Sequence, residues 1–150
     1  MTISIRPATE RDQQHIVKLV HAERLNPYGL HWLNFIVAES EGRIIGTVQL
    51  RPHRDGSHEL GSLVVEAASR GHDLSSQLIE QRLAGRNGRI LLITSRRFAD
   101  RYRRWGFTRI APAAAPVGVR WHYRIGSTVA TIRSFLRLRE FNGLAVLERA

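Results

Sequence analysis

The sequence contains no cysteine. That excludes a disulfide framework, a thiolate metal site and a cysteine nucleophile. Lysine is almost as scarce: Lys18 is the only one, and every other basic residue that carries a full charge is arginine. Long apolar runs are missing too. The longest unbroken ones, such as Ile90 to Ile93, are four residues and fall far short of the roughly 20 needed to span a bilayer. The opening residues Met1 to Arg6 lack the apolar core of a secretory signal, so a soluble cytoplasmic protein is expected. With 150 residues, 43% hydrophobic and 24% charged, the chain is long and apolar enough to bury a core unaided. One domain spanning residues 1–150 is expected.

What is present is positive charge. The formal net charge is +10, and 23 residues are Lys or Arg. Such a field attracts polyanions: a nucleic acid, an acidic protein surface or a phosphorylated cofactor. The guanidinium fork in particular suits phosphate oxygens. Codon bias and a solvated basic face explain most of these arginines equally well.

The apolar spacing yields an order of elements. Ile3 and Ile5 alternate with polar residues in a short strand that Pro7 ends. Thr9, with Asp12 three residues on, reads as a helix start, and Ile16, Leu19 and Val20 continue a helix from about Glu10 to Leu25. Asn26-Pro27-Tyr28-Gly29 breaks the chain, and Leu30 to Leu33 fits one helical turn. Strands follow at Phe35–Ala38, Arg43–Leu50 and about His58–Val65, with turns at Glu41-Gly42 and Asp55-Gly56. Leu74–Ala84 reads as a helix, Ile90–Ile93 as a buried strand and Phe98–Arg104 as a short basic helix. Trp105-Gly106-Phe107 leads into another strand. Ala111–Pro116 is a loop, and Val119–Ile125 fits a helical turn. Val129, Ile132, Phe135 and Leu136 have helical spacing, and Leu144–Leu147 fits a closing strand. The fold class is therefore mixed α/β, in the order β-α-β-β-β-α-β-α-β and then a tail. Its N-terminal strands are antiparallel, and a crossover helix follows the fourth strand.

The chemistry concentrates between Glu59 and Phe107. A strand, the loop Arg70-Gly71-His72-Asp73 and a helix N-terminus make an anion site, because first-turn amides lack internal partners and the helix dipole favours negative charge. Arg70 adds a charged donor to it. This stretch resembles the phosphate loop of the GNAT superfamily of acyl-CoA-dependent N-acetyltransferases, with Arg70, Asp73 and Ser75 at the loop's signature places. Ser62-Leu63-Val64-Val65 looks like the family strand that runs beside the pantetheine arm. Tyr102-Arg103-Arg104-Trp105-Gly106-Phe107 looks like its Tyr-x-x-x-Gly-Phe segment. The resemblance covers roughly Ile3 to Ile110.

The resemblance implies a GNAT-like fold and acetyl-CoA as acyl donor, held by Leu63, Val64, Val65, Arg70, Gly71, His72, Asp73, Leu74, Ser75 and Ser76. It implies direct attack of a primary amine on the thioester, with Tyr102 as general acid toward the CoA sulfur and Glu59 as base. It also allows a homodimer. Asp73 departs from the family, which usually has glycine there. As a helix N-cap, its carboxylate is expected to bond backbone N–H groups that would otherwise meet phosphate. The residues by themselves leave Tyr102 open to a packing role and Glu59 to that of a solvated strand-edge charge. Glu66 reads as a residue that turns the chain.

His53 and His58 flank the Asp55-Gly56 turn, close to Glu59, and two histidines with a carboxylate are metal-ligand types. No His-x3-His pair or acidic cluster supports this, so no metal is expected. Ser62, Ser75 and Ser76 lack the Gly-x-Ser-x-Gly frame of a serine hydrolase. Arg24, Tyr28, His31 and Trp32 on one side, and Trp121, His122 and Tyr123 on the other, are candidates for substrate contact. The expected partner is a small-molecule or peptide amine, with no membrane involved. Two other readings stay open: a non-catalytic GNAT-fold module that binds a ligand or protein, and a nucleic-acid-binding domain built on Arg96, Arg97, Arg101, Arg103 and Arg104, with Tyr102 and Trp105 as stacking platforms.

Overall fold

The computed structural model describes residues 2–135 and 143–150, with side chains left undescribed from 130 to 142. Its strands are β1 (Ile3–Pro7), β2 (Phe35–Ser40), β3 (Arg43–Pro52), β4 (His58–Val65), β5 (Ile90–Ser95), β6 (Thr108–Ile110) and β7 (Leu144–Arg149). Its α-helices are α1 (Gln13–Ala22), α2 (Leu74–Leu83) and α3 (Val117–Phe135). The strands form a mixed sheet in the order β1-β2-β3-β4-β5-β7-β6. Two compact units divide the chain: residues 1–51 with 61–86, and residues 52–60 with 87–150.

In the first unit, β1, β2 and β3 pair antiparallel, and the tight Glu41-Gly42 turn between β2 and β3 requires it of that pair. Phe35, Val37 and Ile44 join Ile16 and Val20 of α1 and Val64 of β4 in one apolar cluster, with Trp32 packed against it. Helix α1 starts later than its sequence suggests, because Glu10–Asp12 form a 3-10 turn. Asp12 accepts from the Thr9 amide (2.7 Å) and from Arg6 Nη1 (2.8 Å), and Arg6 also donates to Glu39 through Nε (2.9 Å). The Arg6 guanidinium holds the buried Asp12 carboxyl down at about 2, below its usual 3.8. Gly46 lets β3 approach its surroundings closely. A Cβ there would meet Leu78 Cδ1 and the Val64 carbonyl, each at 3.1 Å.

In the second unit, β4 and β5 run parallel, with Glu59 opposite Leu91. This is the geometry a crossover helix demands. Strand β7 pairs antiparallel with both β5 and β6 and so lies between them. Leu91, Val146, Ala115 and Val119 form the core, with Tyr123 packed against it. Val119 and Tyr123 stand one helical turn apart, so one face of α3 packs on the core while Val117, Trp121 and Val129 face outward.

The short basic helix is present as a 3-10 helix over Arg96–Trp105. One expectation changes here. Val119–Ile125 is no isolated turn but part of the 19-residue α3. Its exposed Val117 and Trp121 masked the apolar period. Leu136, the last residue of the expected helical spacing, lies outside the described residues.

Candidate functional site

The first unit carries the anion loop. Val64 and Val65 at the end of β4 are buried and Leu63 is half-buried. A 3-10 turn at Ala67–Ser69 leads into Arg70–Asp73 and then α2. Gly71 has φ +92°, a left-handed conformation that glycine adopts without steric cost. Asp73 is also left-handed (φ +54°), and its carboxylate makes no capping bond. The N-cap role expected of Asp73 therefore does not hold. A capping side chain reaches the helix amides from extended backbone, and a left-handed residue points elsewhere. Helix α2 is entered through the Asp73 carbonyl, which accepts from the Gln77 amide (3.1 Å).

Leu74 and Ser76 are buried and anchor the first turn, while Ser75 and His72 are exposed. Val65, Arg70, Gly71, Asp73, Leu74 and Ser75 line a cleft of about 410 Å³. Arg70 is drawn partly into structure: its Nε donates to the Val65 carbonyl (3.0 Å), and its Nη2 lies 3.4 Å from Glu23.

Upstream of that loop, β4 is irregular at Ser62, a strand residue with φ +52°. The Thr47 hydroxyl donates to the Ser62 carbonyl (2.9 Å), and the Gln49 amide bonds the Ser62 hydroxyl (2.7 Å). Both Thr47 and Gln49 are fully buried. Sequence reasoning missed them. The signal was a polar residue at every second place, Thr47, Gln49 and Arg51, on an otherwise apolar strand.

The second unit carries a cluster of titratable groups. Glu59 is buried, at 4% exposure. Its Oε2 is shared by His53 Nε2 (2.9 Å) and His122 Nδ1 (2.8 Å). Glu59 is thus no solvated strand-edge charge. The histidine that joins His53 and Glu59 is His122 of α3, not His58 across the hairpin. His53 packs on the backbone of α3, where a Cβ at Gly118 would lie 2.4 Å from its Nδ1. His53, Glu59 and His122 are ligand types for a divalent cation, and their donor atoms lie within 4.8 Å of one another.

Tyr102 is also in this unit. Its ring meets Trp105 (5.8 Å between centroids) and Phe107 (6.2 Å). Burial raises its pKa, opposed by a hydrogen bond with Thr94 and by the charge of Arg101. The phenol therefore stays protonated at neutral pH, as an acid must. Tyr102 is half-buried, its ring turned against those of Trp105 and Phe107. The arginines around it cover other rings: Arg101 lies 4.7 Å over Phe98, and Arg104 lies 4.8 Å over Trp105.

The remaining candidates separate. Trp32 and Tyr123 pack on the two cores. His31 stacks on Trp32. Tyr28 and Trp121 are exposed, as is Arg24, whose backbone is left-handed (φ +54°). Glu66 pairs with Arg43 (3.2 Å) at the end of β4, as a chain-turning residue does.

Residues 31–109, more than half of the chain, match the family described as "Acetyltransferase (GNAT) domain". The chain belongs to the GNAT family. Solved structures agree on the fold. Rv2747 from Mycobacterium tuberculosis, in complex with CoA and NLQ, superposes with a TM-score of 0.71 at 21% identity, covering 98% of each chain. N-acetylglutamate synthase from Neisseria gonorrhoeae, complexed with coenzyme A and N-acetyl-glutamate, gives 0.67 at 18% identity; 99% of this GNAT chain covers 35% of that one. An acyl-CoA N-acyltransferase from Pseudomonas aeruginosa gives 0.63 at 16% identity, covering 99% of each. No curated protein matches the sequence. Among the described residues of this GNAT chain, no helix is long and apolar enough to cross a membrane.

Proposed function

We propose that this GNAT protein transfers an acetyl group from acetyl-CoA to a primary amine. The observation that carries the reading is the start of α2. Asp73 leaves the first-turn amides uncapped, beside a cleft whose lining follows the family loop. Those amides and the helix dipole suit a diphosphate. The pantetheine arm belongs along Leu63, Val64 and Val65, and the diphosphate against Arg70, Gly71, His72, Asp73, Leu74, Ser75 and Ser76.

In the reaction an amine nitrogen bonds the acetyl carbon as the C–S bond breaks. Tyr102 gives its phenol proton to the departing sulfur, and Glu59 is the seat of the base that deprotonates the incoming ammonium. Neighbours crystallised with N-acetyl-glutamate and with L-arginine support an amino acid as the class of acceptor.

Thermal unfolding with and without acetyl-CoA tests the reading, with inorganic polyphosphate as control. At about 100 times its dissociation constant, acetyl-CoA stabilises by about 2.7 kcal/mol. A shift with acetyl-CoA and little with polyphosphate is expected. No shift with acetyl-CoA refutes the reading and favours a non-catalytic module.

A further inference from the structure

Three ligand atoms converge at one point of the second unit. His53 Nε2 and His122 Nδ1 lie 2.9 and 2.8 Å from the same oxygen, Glu59 Oε2, and all three donor atoms fit within 4.8 Å of one another. The two rings reach that oxygen from different directions: their planes stand 54° apart, with centroids 5.7 Å from each other. None of the three is a solvated surface group. Their side chains are exposed by 10% at His53, 6% at Glu59 and 13% at His122.

Each ligand rides on a separately fixed element. His53 opens a tight turn, in which its amide donates to the Ser57 carbonyl (2.9 Å) and its carbonyl accepts from the Gly56 amide (3.1 Å). Its ring rests on α3 at Gly118, in a place that a Cβ would fill. Glu59 is held in β4 by pairing with β5. His122 stands on α3 between Val119, which is part of the core, and Tyr123, which packs on it.

The donor set selects the ion. Two imidazoles and one carboxylate suit a borderline cation such as Zn2+, whereas Ca2+ and Mg2+ prefer a shell of oxygens. In a tetrahedral zinc site, bonds of about 2.0–2.1 Å set the ligand atoms about 3.4 Å apart. The two N···O distances here fall short of that by about half an ångström, a gap that small side-chain rotations open. The fourth position falls to water. The ion would also bring positive charge to a carboxylate that is costly to bury.

We propose that His53, Glu59 and His122 form a zinc site that clamps the 53–57 turn and α3 to the start of β4. Glu59 and His122 stand 63 positions apart, so the ion closes a long loop. Its role is structural. The register supports this: Glu59 lies opposite Leu91, whereas Tyr102 bonds Thr94, three residues along β5 and on its other face. The proposal stands apart from the transferase reading except at Glu59. A carboxylate that holds an ion is not free to take a proton. Ligand and base thus exclude each other, and metal binding chooses between them.

The test follows Zn2+ itself. Metal-free protein, stripped with a chelator and checked by circular dichroism, is titrated with Zn2+ against a coloured competing chelator. Its melting temperature is read with and without the ion. Co2+ in place of Zn2+ reports the geometry through its visible absorption. One ion per chain, a higher melting temperature with Zn2+ and the bands of four-coordinate Co2+ are expected. His53→Ala, Glu59→Gln and His122→Ala should each weaken Zn2+ binding by more than the roughly 10- to 100-fold that loss of a supporting partner costs. Each should also lose the Zn2+-dependent rise in melting temperature. Glu59→Gln keeps the shape of the side chain, so it decides the matter even where a histidine variant folds poorly. His58→Ala, across the same turn but outside the cluster, should bind Zn2+ as wild type does.

A folded protein that binds no Zn2+ overturns the proposal and leaves Glu59 to the base. Binding that persists in all three variants overturns it too, since other histidines then hold the ion. So does binding that leaves the melting temperature unchanged, because a clamp must stabilise what it holds. Neither readout uses acetyl-CoA. A protein that binds Zn2+ but not acetyl-CoA refutes the transferase reading and leaves the zinc site standing.

Discussion

Gly118→Ala sets two effects of opposite sign against each other. Gly118 lies in the first turn of α3, where alanine in place of glycine favours the helix by up to about 1 kcal/mol. Were space free, the substitution would stabilise. It is not free: the new Cβ would stand 2.4 Å from His53 Nδ1 and 2.9 Å from its Cε1. The ring cannot simply swing aside, because its Nε2 bonds Glu59 at 2.9 Å and only 10% of the side chain is exposed. Moving it breaks a hydrogen bond to a buried carboxylate, worth about 1.5–3 kcal/mol.

The clash outweighs the propensity, so Gly118→Ala destabilises by roughly 1–2 kcal/mol. Urea unfolding of wild type, Gly118→Ala, His53→Ala and the double variant closes a thermodynamic cycle. Without the imidazole at 53, Gly118→Ala becomes neutral or stabilising. The reasoning is refuted if Gly118→Ala stabilises the protein that still carries His53.

Other outcomes follow from the same geometry. Tyr102→Phe keeps the ring packing on Trp105 and Phe107 but removes the acid, so kcat should fall about 10²-fold or more with acetyl-CoA affinity unchanged, as steady-state kinetics will show. Asp73→Gly relieves a left-handed aspartate, so it should raise the melting temperature, by up to about 1 kcal/mol of stability, and tighten acetyl-CoA binding in calorimetry. The folded Asp12 carboxyl lies at about 2, below its usual 3.8. Its contribution, roughly 1 kcal/mol after screening at the one-third-exposed Arg6, is therefore complete above pH 4 and lost as pH falls from 3.8 to 2. Asp12→Asn should destabilise at pH 7 and match wild type near pH 2 in urea titrations.

What the sequence made legible was local. Leu78, Ile79 and Leu83 repeat with helical period, and α2 spans Leu74–Leu83; His58–Val65 sits between turn residues, and β4 has those bounds. The loop before α2 was legible because glycine, a charged residue and a helix start stand in order. The place of β7 between β5 and β6 was not, since strand order depends on pairings between residues far apart in the chain. His122 stands 63 positions from Glu59, and no spacing rule connects them. It drew notice only as an aromatic candidate for substrate contact. Asp73 misled for a different reason: its residue type predicts a cap, but a cap needs extended backbone, and φ is invisible in composition.

Strand β7 has a consequence in time. Among the described residues, it alone supplies the antiparallel partner on that side of β5 and the ladder of β6, and the Arg89–Glu148 ion pair of this unit joins residues 59 positions apart. As the chain leaves the ribosome, β5 and β6 emerge with open edges and wait some seconds, at about 5–20 residues per second, for Leu144–Arg149 to thread between them. The unit that holds Glu59, His122 and Tyr102 is therefore assembled last and all at once. Lesions in its final strand, remote in sequence from any of those groups, should appear first as a shortage of folded protein in the cell rather than as slow turnover.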